Sequence, residues 1–179
     1  MEDLSLHILD IVENSIEAGA NRIEIKILED SKKDIFSLEI RDNGRGMSEE
    51  VLRSVTDPFY TTRTTRRVGL GLPFLSQSAK EAEGDISIES KEGIGTVVYA
   101  YFKHSHIDRK PIGNIVDTLI VLIAGNPEID FFYEHRRNSN TYSIDTKEIR
   151  SELEGIPINS PEVIEIIKKD LQNGLKALG

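Results

Sequence analysis

A chain of 179 residues is long enough for one domain with a sizeable core, while a net charge of −9 and a pI near 5.0 argue against a general nucleic-acid binder or a binder of anionic membranes. The lack of cysteine removes disulfides, thiolate metal sites and thiol nucleophiles. The longest apolar run, 115–124, is interrupted by Asp117 and Thr118 and is too short to span a bilayer, and no signal-peptide pattern opens the chain, so a soluble cytoplasmic protein is expected.

Leu4 to Ala18 places apolar residues at Leu4, Ile8, Ile11, Val12, Ile16 and Ala18, which predicts an amphipathic helix capped by Asp3. Asp10 and Asn14 lie four apart on one face of it, with His7 and Glu17 a turn before and after. Most such stripes are solvated faces, but asparagine is a poor helix-interior residue and needs a reason to be there. Arg22 to Glu29 and Ile35 to Arg41 alternate as strands. The second runs straight into Asp42-Asn43-Gly44-Arg45-Gly46-Met47, a carboxylate at a strand end followed by a glycine turn. A short helix is expected from about Ser48 to Ser54. Asp57 to Val68 then alternates hydroxyls with arginines, as a segment contacting phosphate oxygens would. Gly69-Leu70-Gly71-Leu72 precedes a helix reaching about Glu83, and glycines before a helix N-terminus make a ready anion site.

Gly84 to Ser90 and Thr96 to Phe102 read as a hairpin across Lys91 to Gly95. The pattern predicts an α+β fold, a two-layer sandwich of a mixed sheet with helices on one face. The polar stretch His104 to Lys110 marks a boundary between a domain of residues 1–103 and an accessory α/β extension of residues 104–179. In that extension a helix is expected over Pro111 to Ala124, a hairpin over Ile129 to His135 and Thr141 to Ile144, and two capped helices after Asp145 and Ser160. The apolar helix either packs on the core or forms a homodimer seam. Periodicity does not separate the two.

Taken together, Asp10 to Ala20, Asp42 to Met47, Asp57 to Arg63, Gly69 to Leu72 and Gly93 to Thr96 resemble, in order, the sequence boxes of the GHKL ATPase superfamily, which includes DNA gyrase, heat-shock chaperones, histidine kinases and mismatch-repair ATPases. The resemblance covers residues 4–103 and implies a Bergerat-fold site for ATP and Mg²⁺. It makes Asp42 the reader of adenine, with Gly44, Gly46, Met47 and Phe59 around the base and Thr96 supporting the carboxylate from the next strand. Asn14 becomes the Mg²⁺ ligand, and Thr61, Thr62, Arg63, Arg67, Gly69, Leu70, Gly71 and Leu72 form a lid and phosphate clamp. Two positions depart from the family pattern. Hydrolytic members carry a water-activating glutamate where this chain has Asp10, one methylene shorter, and a glycine expected before the Gly69 box is replaced by Arg67.

The lid and the Asp57 box resemble histidine kinases, whereas Glu13 to Ile25 is similar to the mismatch-repair branch. The resemblance therefore implies a Mg²⁺-dependent ATP-binding protein of histidine-kinase type that phosphorylates or regulates a partner protein. The alternatives are a nucleotide-sensing interaction subunit with little turnover and a slow ATPase using Asp10. No phospho-acceptor histidine precedes the ATP domain, and His106 only faintly echoes such a box, so the acceptor is expected on another protein.

Overall fold

The computed structural model describes residues 3–56 and 71–179. Helix α1 (Leu4–Glu17) is followed by strands β1 (Arg22–Asp30) and β2 (Ile35–Asp42), helices α2 (Glu49–Thr56) and α3 (Gly71–Glu81), and strands β3 (Asp85–Lys91) and β4 (Gly95–Lys103). The rest of the chain adds α4 (Ile115–Gly125), β5 (Asp130–Arg137), β6 (Asn140–Asp145), α5 (Thr146–Glu152) and α6 (Pro161–Ala177). The strands form one mixed sheet in the order β3-β4-β2-β1-β5-β6, and the parallel pair is β1 with β5. The extension thus continues the sheet of the first hundred residues and has no sheet of its own.

Alternation explains the layers. Ile23, Ile25 and Ile27 of β1 share a face with Phe36, Leu38 and Ile40 of β2, Val98, Ala100 and Phe102 of β4, and Phe131 and Tyr133 of β5, and all are buried. Against them pack Leu4, Ile8, Ile11 and Val12 of α1, Leu72, Leu75 and Ala79 of α3, Leu119, Leu122 and Ile123 of α4, and Ile167 and Leu171 of α6, in one continuous core. The opposite face carries Glu24, Lys26, Glu39 and Arg41, paired across strands or along them. A one-residue slip would exchange the two sets, so burial fixes the register.

Expected boundaries hold within two residues for α1, β1 to β4 and α3. The helix expected from Pro111 instead begins at Ile115. The carbonyls of Pro111 and Ile112 accept from the Leu4 and Ser5 amides at 2.9 and 2.8 Å, satisfying donors that the first turn of α1 leaves open. Asn114 then caps α4 by accepting from the Asp117 amide at 3.0 Å. Apolar spacing alone could not distinguish this strap from a helical turn. The inner side of α4 joins the core, while Val121 on its outer side is 61% exposed.

Candidate nucleotide site

Asp42 ends β2 on the helix-covered face, in register with Thr96 of β4. Its Oδ2 accepts from the Ser15 hydroxyl at 2.6 Å and its Oδ1 from the Gly44 amide at 2.8 Å. The carboxylate is therefore gripped between the end of α1 and its own turn. Ser15 was not among the expected site residues, yet it is buried and makes the side-chain contact that fixes Asp42. Gly46 has φ of 70°, and a Cβ there would meet the Lys91 carbonyl, so the turn closes onto the β3–β4 hairpin only with glycine at that position. The Met47 amide donates to the Ser90 hydroxyl at 2.8 Å, and Ser90 pairs with the Thr96 hydroxyl at 2.8 Å. Thr96 thus lies opposite Asp42, with its hydroxyl engaged by Ser90.

Asn43 pins the turn from the other side. Its Oδ1 accepts from the backbone amides of Asn21 and Arg22, both at 3.0 Å, and its Nδ2 donates to the Asn21 side chain at 2.6 Å. The Arg45 amide donates to the Ala18 carbonyl at 2.9 Å. Residues 18–22, which join α1 to β1, therefore form the floor on which the glycine turn rests.

Along α1, Asn14 and Asp10 follow Ser15 toward the N-terminus, both half-buried. Asp10 reaches the first residue of α3, where a Cβ on Gly71 would collide with its carboxylate. Leu72 is buried beneath it in the core. One turn before Asp10, His7 is 1% exposed, and neither ring nitrogen has a hydrogen-bond partner among the described residues. Burial lowers its pKa below the ordinary histidine value, keeping the ring neutral near pH 7. Asp42, Gly44, Gly46, Met47 and Thr96 thus gather at one end of the sheet, with Asp10 against Gly71 where α1 meets α3 and Asn14 one turn further along α1. The expected Phe59, Thr61, Thr62, Arg63, Arg67, Gly69 and Leu70 lie outside the described residues. A cavity of about 420 Å³ at this end of the sheet is lined by Glu24, Arg41, Glu89 and Val97, so it opens on the face away from the helices and is separate from the pocket into which the Asp42 carboxylate points. Among the described residues no helix is long and apolar enough to cross a membrane, and no group of three or more His, Asp and Glu side chains is placed to hold a metal ion.

Comparison with known proteins agrees with this fold. The profile of the family described as histidine kinase-, DNA gyrase B- and HSP90-like ATPase matches residues 2–106. Sporulation kinase E of Bacillus subtilis is 38% identical over 95 residues, which is 51% of this chain and 12% of the kinase. The tetrathionate sensor histidine kinase TtrS of Salmonella typhimurium is 36% identical over 101 residues, covering 54% of this chain and 17% of that protein. The chain therefore spans under a fifth of the length of either kinase. Among solved structures, the Aquifex aeolicus MutL ATPase domain complexed with ADP superposes with a TM-score of 0.50 at 17% identity, over 80% of this chain and 64% of that one. The N-terminal domain of a DNA repair protein gives a TM-score of 0.53 at 18% identity, over 80% of this chain and 52% of that one. At such identities the two structures speak for the fold alone.

Proposed function

Because this chain belongs to the family of histidine kinase-, DNA gyrase B- and HSP90-like ATPases, we propose that it is a cytoplasmic, Mg²⁺-dependent ATP-binding protein of histidine-kinase type. In this reading residues 1–103 hold the nucleotide, and residues 104–179 form an accessory unit that engages a partner protein. The observation that carries it is the fixed carboxylate of Asp42. Ser15 and the Gly44 amide each occupy one of its oxygens, and a carboxylate offers about four acceptor sites, so capacity remains for the exocyclic amine of adenine. Gly44 and Gly46 let the turn pack closely on Ala18 and the Lys91 carbonyl, and Met47, Phe59 and Thr96 would complete the base pocket. Asn14 would supply an amide oxygen to Mg²⁺, a hard cation that takes its other ligands from phosphate and water. Thr61, Thr62, Arg63, Arg67, Gly69 and Leu70, with Gly71 and Leu72 in the first turn of α3, would hold the phosphates. Bound in this way, Mg–ATP would supply a transferable phosphoryl group whose acceptor is the partner, in a reaction governed mostly by positioning and charge stabilisation.

A second reading, a nucleotide-sensing subunit with little turnover, is favoured by Asp10. Its short side chain lies against Gly71, which suits packing more than reaching a water. A slow ATPase would need Asp10 to act as the base there. ATP titration with and without Mg²⁺, followed by tracing of the γ-phosphate, separates these readings. Label reaching a partner supports the kinase, phosphate release abolished by Asp10→Asn supports the ATPase, and binding without either supports the sensor. Asp42→Asn is expected to weaken ATP by about tenfold or more and to remove the preference for adenine over guanine, since a buried site built for one hydrogen-bonding pattern rejects another. Equal binding of both bases by the unaltered protein would contradict the role given to Asp42, and no binding at millimolar ATP would contradict the whole proposal.

A further inference from the structure

Residues 21 and 22 carry the adenine turn on one side and the C-terminal extension on the other. On the first side, Asn43 takes the amides of both residues at 3.0 Å each, and its own amide donates to the Arg22 carbonyl at 3.3 Å. On the second side, the Arg22 guanidinium makes two parallel bonds to Asp145, Nη1 to Oδ1 and Nη2 to Oδ2, each 3.0 Å. This fork is the strongest geometry that an arginine and a carboxylate can adopt. Asp145 is itself fixed, because its Oδ1 caps α5 by accepting from the Lys147 amide at 2.9 Å. The Asn21 carbonyl accepts from the Asp130 amide of β5 at 2.9 Å. Arg150 of α5 binds both the Asp130 carboxylate and the carbonyls of Pro127 and Ile129, so the extension meets residues 21–22 as one braced block. Phe132 lies under the Arg22 guanidinium at 5.8 Å. Asn43 is flanked directly by Asp42 and Gly44, so a shift of residues 21–22 acts on the turn that carries the carboxylate.

We propose that the extension is a working part of the adenine pocket: Asp145 and Arg22 are positioning residues that hold the adenine turn in its gripping geometry. This rests on the assignment of Asp42 to adenine. Its consequence is regulatory. Weakening the Arg22–Asp145 contact lowers nucleotide affinity, and by linkage bound nucleotide strengthens that contact by the same factor.

The test uses the full chain with Asp145→Asn, which keeps a capping side chain but loses the charge, and with Arg22→Lys, which keeps the charge but cannot fork. Tyr142→Phe is the control. It removes the bond from the Tyr142 hydroxyl to Asp170 elsewhere in the extension and touches neither residue 21 nor residue 22. Three readouts are taken: melting temperature, ATP against GTP affinity, and hydrogen exchange of the Asn43, Gly44 and Arg45 amides without nucleotide. Asp145→Asn is expected to weaken ATP by about fivefold and narrow the adenine preference, with faster exchange in the turn. Arg22→Lys should fall between it and the wild type, and Tyr142→Phe should lower the melting temperature alone. Unchanged exchange in the turn for both Asp145→Asn and Arg22→Lys overturns the proposal, as does a control that loosens the turn equally. If the wild type binds no nucleotide, the ATP assignment fails while the exchange measurement still decides the coupling.

Discussion

Ser15 shows how one hydroxyl completes a site. It is buried on α1 and donates 2.6 Å to Asp42 Oδ2, with a longer 3.3 Å contact to the Ile11 carbonyl. Ser15→Ala leaves one carboxylate oxygen without its donor, which costs about 1.5–3 kcal/mol where the acceptor is ionised. ATP affinity should fall by about tenfold, while adenine stays preferred because Asp42 remains; nucleotide titration with both bases checks this. Asp42 stood out in the sequence only when the five boxes were read together, because a carboxylate at a strand end before two glycines is by itself an ordinary tight turn. Ser15 did not stand out. It lies on the buried side of α1 with Ile8, Ile11 and Val12, and its partner is 27 residues away. Nothing local distinguishes it from a small residue tolerated in a core. Asn43 was read as turn chemistry alone for the same reason, its partners being Asn21 and Arg22.

At the scale of the helix, α1 combines a well-read face with a costly buried group. The stripe of His7, Asp10 and Asn14 was expected to be polar, and Asp10 and Asn14 are half-buried. His7 turns into the packing, one of the two places open to it from sequence, with both ring nitrogens unpartnered among the described residues. An unsatisfied buried polar group costs about 1–3 kcal/mol, so His7→Leu should raise the melting temperature at pH 7. The sign of the pH effect follows from the lowered pKa. The unfolded chain takes a proton as pH falls through about 6.5, the folded chain resists, and the protein loses stability on acidification across that range. In His7→Leu this part of the slope should vanish, and melts at pH 5.5 and pH 7.5 compare the two. The helix itself was legible from its period, its Asp3 cap and the glycine after it. The start of α4 was not, because Pro111 and Ile112 continue the apolar spacing while their carbonyls serve α1.

Across the whole molecule, the resemblance to known ATPases stopped at residue 103, and sequence pattern gave no means of seeing where β5 goes. Its partner β1 lies more than a hundred residues earlier, and the pairing Ile25 with Tyr133 is a long-range choice made by burial. The seam is locked at its far end by Glu29 of β1, which is 7% exposed. Glu29 accepts from His135 Nε2 at 2.7 Å and from Arg137 Nη2 at 3.0 Å, and His104 approaches its other oxygen at 3.3 Å. Tyr133 closes the cluster against His135 at 2.9 Å. Burial pushes the Glu29 carboxyl up, but the bonds from His135 and Arg137 outweigh it and hold the group at about 2, against 4.5 for a free side chain. A carboxyl lowered on folding stabilises the protein above its unfolded pKa, and that contribution drains away as pH falls from 4.5 toward 2. Glu29→Gln removes the charge from a buried carboxylate and leaves the partly exposed Arg137 and the buried His135 beside a neutral amide, which should lower the melting temperature at pH 7. Because β1 and β5 meet there, the variant should loosen the extension from the core first, seen as faster exchange in β5 and β6 than in β2 and β4. Its acid unfolding profile should also be flatter than the wild type's between pH 4.5 and 2, and a profile of equal steepness would show that Glu29 does not carry the acid transition.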